Sequence, residues 1–104
     1  MRGQSKIDIS EQKPLKFTAL TDGYEMVSND ATVKILLRRI TVMDGFMESG
    51  FYSTKLWIKE DNGWIEANNT KNYTTKEEFI TDMEGSEDFT QALRDYRQWK
   101  ENTR

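Results

Sequence analysis

Asn62-Gly63 is the feature that most restricts how this chain can fold. A two-residue hairpin loop of type I′ needs positive φ at both central positions, and Asn-Gly is the pair that tolerates it best. The flanking segments, Tyr52 to Glu60 and Trp64 to Ala67, alternate in polarity and read as two strands. With Asn62 and Gly63 as the loop, Asp61 opposes Trp64, Lys59 opposes Glu66 and Ile58 opposes Ala67. Leu56, Ile58, Ile65 and Ala67 then share one face, which their aliphatic character marks as buried. Trp57, Lys59, Trp64 and Glu66 share the other, with Lys59 and Glu66 placed to pair across the strands.

More strands are expected upstream. Leu15 to Ala19 alternates, Thr21-Asp22-Gly23 is a turn signal, and Tyr24 to Val27 pairs back on the first segment. Residues 28–43 admit a helix capped at Asn29 or Asp30, or a strand. Six β-branched residues between Thr32 and Val42 favour the strand. Moving the apolar set from Val33, Ile35 and Leu37 to Ile40 and Val42 then calls for a bulge near Arg38-Arg39. Asp44-Gly45 is a further turn, and Phe46 to Gly50 reads as a loop.

The C-terminal third is helical in pattern. Thr75 is followed three residues later by Glu78, the spacing of a capping box. A short helix from Lys76 to Met83 buries Phe79, Ile80 and Met83, and Gly85 offers a left-handed stop. Ser86 caps a second helix, with Glu87 and Asp88 in its first turn and a stripe of Phe89, Ala92, Leu93, Tyr96 and Trp99. The chain has 104 residues, which suits one domain. The expected architecture is α+β: a small antiparallel sheet of about four strands, including the Asn-Gly hairpin, packed against the C-terminal helix or helices. Residues 14–104 form this domain. Residues 1–13 form a loosely ordered arm, and Pro14 marks where it ends.

Composition narrows the function. Apolar residues make up only 36%, so the core must lean on three Trp, four Tyr and five Phe. The chain has no Cys and no His. Thiolate catalysis, Cys-ligated zinc and the commonest general base are thereby excluded. No nucleotide cradle or nucleophile elbow is present. An enzyme is not expected, nor a catalytic residue, metal or cofactor. No apolar stretch is long enough for a signal peptide or membrane span, so a cytoplasmic protein is expected.

Two surfaces remain as candidates for binding. From Lys76 to Asp95 seven acids stand against two bases. Glu77, Glu78, Asp82, Glu84, Glu87 and Asp88 therefore offer an acidic helical surface to a protein partner with a basic surface. Carboxylates satisfy the same Lys and Arg donors as phosphates do. The same clustering also describes a solvated helix face. Trp57 and Trp64 are the second candidate, either an exposed aromatic surface or rings covered by the C-terminal helix. If exposed, together with Lys34, Arg38, Lys55 and Lys59 they suit single-stranded nucleic acid.

The segment Lys76-Glu77-Glu78-Phe79-Ile80-Thr81-Asp82-Met83 is similar in style to the acidic helices of small phage inhibitors of CRISPR nucleases. The Lys/Asn/Ile-leaning composition resembles that of compact accessory proteins of phages and mobile elements. The helix resemblance covers eight residues and assigns no family. It implies a non-enzymatic interaction module that inhibits a nucleic-acid-handling defence protein of a host. The alternative is the single-stranded nucleic-acid module.

Overall fold

The computed structural model describes residues 15–67 and 70–103. The expected arm, residues 1–13, lies outside the described residues. Among these residues six strands and two helices follow in order: β1 Phe17–Leu20, β2 Gly23–Val27, β3 Val33–Asp44, β4 Met47–Glu60, β5 Gly63–Ala67, β6 Asn72–Tyr73, α1 Lys76–Met83 and α2 Thr90–Asn102. A single 3-10 turn, Glu87–Phe89, precedes α2. The α+β architecture is as expected, but the sheet has six strands rather than about four. The strands run β1-β2-β3-β4-β5, all antiparallel, and β6 joins β4. β4 is long enough to hold β5 along Leu56–Glu60 and β6 along Tyr52-Ser53 on the same edge.

Alternation decides the core. Phe17, Tyr24, Met26 and Leu37 point to the inner face and are buried there with Phe79, Ile80 and Met83 of α1. Phe89 and Ala92, Leu93 and Tyr96 of α2 complete the core. Phe17 lies edge-on to Tyr24 at 5.1 Å and to Tyr96 at 5.3 Å, and Trp99 tilts over Phe17 at 5.4 Å. Each such ring pair adds about 0.5–1.5 kcal/mol beyond burial, so rings offset the shortage of aliphatics. Gly23 is required where β2 meets β3. A Cβ there would fall 1.8 Å from the Leu37 carbonyl oxygen.

Residues 28–43 contain the expected strand, without the bulge. β3 and β4 pair without interruption from Val33↔Ile58 to Asp44↔Met47. Ile40 and Val42 consequently lie on the outer face, opposite to Val33, Ile35 and Leu37. No slip is needed because β2 ends its pairing at Arg38, and beyond it no core demands an inward apolar set. Phe46 to Gly50 is not a loop. Gly45 takes φ 64 and Phe46 has no positive φ, the pattern of a two-residue type II′ turn, so β4 starts at Met47.

The Asn-Gly hairpin exists, but with a shifted register. Glu60 pairs with Gly63, leaving Asp61 and Asn62 as the loop. Both keep negative φ, and Gly63 alone takes the positive value, φ 120. Lys59 therefore opposes Trp64, and Trp57 opposes Glu66, so the expected Lys59–Glu66 pair does not form. The slip is two residues, so every side chain keeps its expected face. That face is not buried along the hairpin, however: Ile58 is 40% and Ile65 56% exposed, because the core beneath the helices ends before β5.

α1 matches its expected bounds. Thr75 Oγ1 accepts from the Glu78 amide at 3.2 Å, and Glu78 Oε1 accepts from the Thr74 amide at 2.8 Å. Gly85 does not adopt the left-handed conformation. The chain leaves α1 by a tight turn, with the Ser86 amide donating to the Met83 carbonyl at 2.9 Å. Ser86 makes no side-chain cap. Glu87 and Asp88 belong to the 3-10 turn, and α2 begins only at Thr90. Its cap comes from the β2–β3 loop. Asn29 Oδ1 accepts from the Gln91 amide at 3.0 Å, and Asn29 Nδ2 donates to the Glu87 carbonyl at 2.9 Å. Buried Asp95 ties α2 to the start of the sheet, accepting from the Lys16 amide at 2.8 Å and from Gln91 Nε2 at 2.9 Å.

Candidate functional site

The helices pack on the inner face over Tyr24, Met26 and Leu37, so α2 does not cover Trp57 and Trp64 on the other side. Both rings stand on the outer face, which no element of the described residues overlies. Pairing places Lys34 opposite Trp57, Leu36 opposite Lys55, Arg38 opposite Ser53, and Lys59 opposite Trp64. Direct neighbours on antiparallel strands lie about 4.5–5.5 Å apart, so these groups form one continuous patch. Lys34 Nζ sits 4.8 Å from the Trp64 ring centre and 5.3 Å from that of Trp57. Lys59 Nζ sits 5.6 Å from Trp64. Cation–π attraction thus orders two ammonium groups against two indoles. Trp64 remains 36% exposed.

Charge on this face is mostly positive. Lys34, Arg38, Lys55 and Lys59 share it with Glu25 and Glu66, and with Asp44 at the far end of β3, and among the described residues none of the four bases forms an ion pair. Leu20, Leu36 and Phe51 lie on the same face. Sequence pattern alone does not single out Phe51 and Leu36 as surface groups. The signal that places them is the alternation of β3 and β4, which continues through them.

The six candidate carboxylates, Glu77, Glu78, Asp82, Glu84, Glu87 and Asp88, are all exposed, but they are not equally free. Asp82 Oδ2 accepts from Lys71 Nζ at 2.6 Å and from the Tyr73 hydroxyl at 2.5 Å. The Lys71 hydrogen bond, then that of Tyr73, holds the Asp82 carboxyl below the usual carboxylate range. Burial and the bond to Asp82 push the Tyr73 phenol up. Glu84 pairs with Arg97 at 3.3 Å, and Glu78 serves the α1 cap. Glu77, Glu87 and Asp88 make no ion pair among the described residues. The six carboxylates therefore do not act as one surface.

A cleft between α1 and the inner face, about 180 Å³, is lined by Ile35, Thr54, Leu56, Tyr73, Phe79 and Asp82. It is smaller than the roughly 300–1,000 Å³ of a typical small-molecule site. Among the described residues no three carboxylates converge as a cation site, and no helix is long and apolar enough to cross a membrane. No protein-family model, curated protein or solved structure matches the chain.

Proposed function

We propose that the chain is a non-enzymatic, cytoplasmic binding module that holds single-stranded nucleic acid on the outer face of its sheet. The observation that carries this reading is the grouping of Lys34 and Lys59 against Trp57 and Trp64 on a face that no element of the described residues overlies, with Lys55 and Arg38 alongside. Indole rings stack on any base, and lysine ammoniums neutralise the phosphates that pass beside them. The absence of His and Cys removes the usual catalytic groups.

The test is a titration of labelled single-stranded oligonucleotides, followed by tryptophan quenching. Micromolar binding is expected at low salt. Up to four phosphates neutralised at about 0.7 counterions each give a slope of log affinity on log salt no steeper than about −3. Trp64→Ala and Lys34→Glu are each expected to weaken binding at least about tenfold, from lost stacking and reversed charge. Absence of binding at low salt sinks the reading.

A second reading rests on Glu77, Glu87 and Asp88, which are exposed and without ion pairs among the described residues. They support a contact with the basic surface of a protein partner, such as a host nucleic-acid-handling defence protein that the chain inhibits, in the manner of a phage accessory protein. Asp82 and Glu84 contribute less, because each already has a cation.

A further inference from the structure

Beyond Arg39 and Tyr52, β3 and β4 continue as a two-stranded ribbon that the rest of the sheet does not flank. Its tip is apolar: Phe46 is fully exposed, and Met43 and Met47 are mostly so. Along the edge of β4 away from β3, β6 pairs only with Tyr52 and Ser53. Within Met47 to Phe51 the alternate residues Glu48 and Gly50 therefore turn their backbone amides and carbonyls to an edge that is unpaired among the described residues. Such an edge is a ready template for another strand.

We infer that this edge joins a second copy of the chain, strand β4 against strand β4, about a two-fold axis at Ser49. The free stretch is five residues long, bounded by the Gly45-Phe46 turn at one end and by β6 at the other. Antiparallel self-pairing centred on Ser49 fills it without overlap: Met47 against Phe51, Glu48 against Gly50, Ser49 against Ser49. A register moved toward the turn sets Glu48 against Glu48. A register moved the other way runs Met47 of the second copy into β6.

Charge selects the same register. The Arg39 guanidinium lies flat across Gly50, with Nη2 2.4 Å from where a Cβ would stand, and 5.8 Å over the Tyr52 ring. It occupies the inner face at the position that Glu48 of the second copy faces directly. Glu48 makes no ion pair among the described residues of its own chain. The two-fold axis thus creates two Arg39–Glu48 pairs. On the outer face it extends each Ile40–Phe51 row to Met47 of the other copy. A thioether against an aromatic ring is a favourable contact. Because the axis stands perpendicular to the sheet, both outer faces point the same way. The inference does not depend on what those faces bind.

The contact is small beside the roughly 1,600 Å² of a standard interface, so association is weak and concentration-dependent. Sedimentation equilibrium from about 10 µM to about 1 mM spans the corresponding affinities. The expected result is a monomer–dimer equilibrium for the natural chain, at least about tenfold weaker for Glu48→Arg because two arginines then meet. Dimerisation should return in the double variant Arg39→Glu/Glu48→Arg. Melting curves check that each variant is folded. Should a variant fail to fold, hydrogen exchange of the natural chain decides: slower exchange at the Met47–Phe51 edge at high concentration supports the dimer, and unchanged exchange overturns it. A monomer throughout the range, undiminished association of Glu48→Arg, or a folded double variant that stays monomeric each overturns the proposal.

Discussion

Single residues here serve structure and charge together. Asp82 could be read in the sequence only as one acid among six. Its position after α1 folds lets Lys71 and Tyr73 reach the same oxygen. The lowered carboxyl has a consequence with a definite sign. A group bound more weakly by protons when folded contributes stability above its unfolded pKa, about 3.9, and loses it as pH falls through the folded value. Asp82→Asn should therefore cost stability at neutral pH, and the gap to the natural chain should close below about pH 4. Urea midpoints at neutral and strongly acid pH measure it. A gap that persists unchanged in acid would show that Asp82 acts by packing. Gly50 gives a second lesson. It is not a turn glycine, and it matters because Arg39 lies where a side chain would stand.

At the scale of elements, α1 is local and α2 is not. The first helix carries its own cap in Thr75 and Glu78, three positions apart, so its limits were readable. The start of α2 is set by Asn29, about sixty residues earlier in the chain. Asn29 is held in place by its loop. Buried Ser28 donates to Asp30 Oδ1 at 2.8 Å and accepts from the amides of Thr32 and Val33, and Ala31 takes φ 63 to close the turn. Asn29→Ala removes three hydrogen bonds to the 3-10 turn and α2 while its backbone bond to Asp88 stays. Loss of such a cap costs about 0.5–2 kcal/mol. For a domain of this size that lowers the melting temperature by roughly 4–8 °C per kcal/mol. A thermal melt unchanged within a degree or so would show that the cap is idle.

The whole molecule is a two-layer slab with unlike sides. The outer sheet face carries Lys34, Arg38, Lys55 and Lys59 and two exposed or half-exposed indoles, while the helical layer carries Glu77, Glu87 and Asp88, which make no ion pair among the described residues. Neutralising those three as Gln, Gln and Asn should leave stability within about 0.5 kcal/mol per site, since exposed substitutions seldom do more. Under the second reading the same variant should lose a partner that the natural chain retains from a bacterial lysate, and lose it through a slower on-rate. Equal retention by both proteins would leave the acids as a solvated surface. Oligonucleotide affinity of the variant should not fall, because the acids lie on the layer opposite the binding face.

Much of this arrangement follows from local chemistry. The two-residue period of β3, β4 and β5 determines which side chains share a face, and a register shift of two residues leaves that facing unchanged. The capping box determined α1. Other features needed the folded chain. Asp61-Asn62-Gly63 admits two registers that place the same residues on each face, and local pattern has no means to choose between them. The length of β3 and β4 was hidden because a two-stranded ribbon has no core behind it to impose apolar alternation. Whether the indoles stand open depended on which side of the sheet the helices took. The larger apolar set of Phe17, Tyr24, Met26 and Leu37 drew them to the inner face, since burying more ring and aliphatic area outweighs covering two tryptophans.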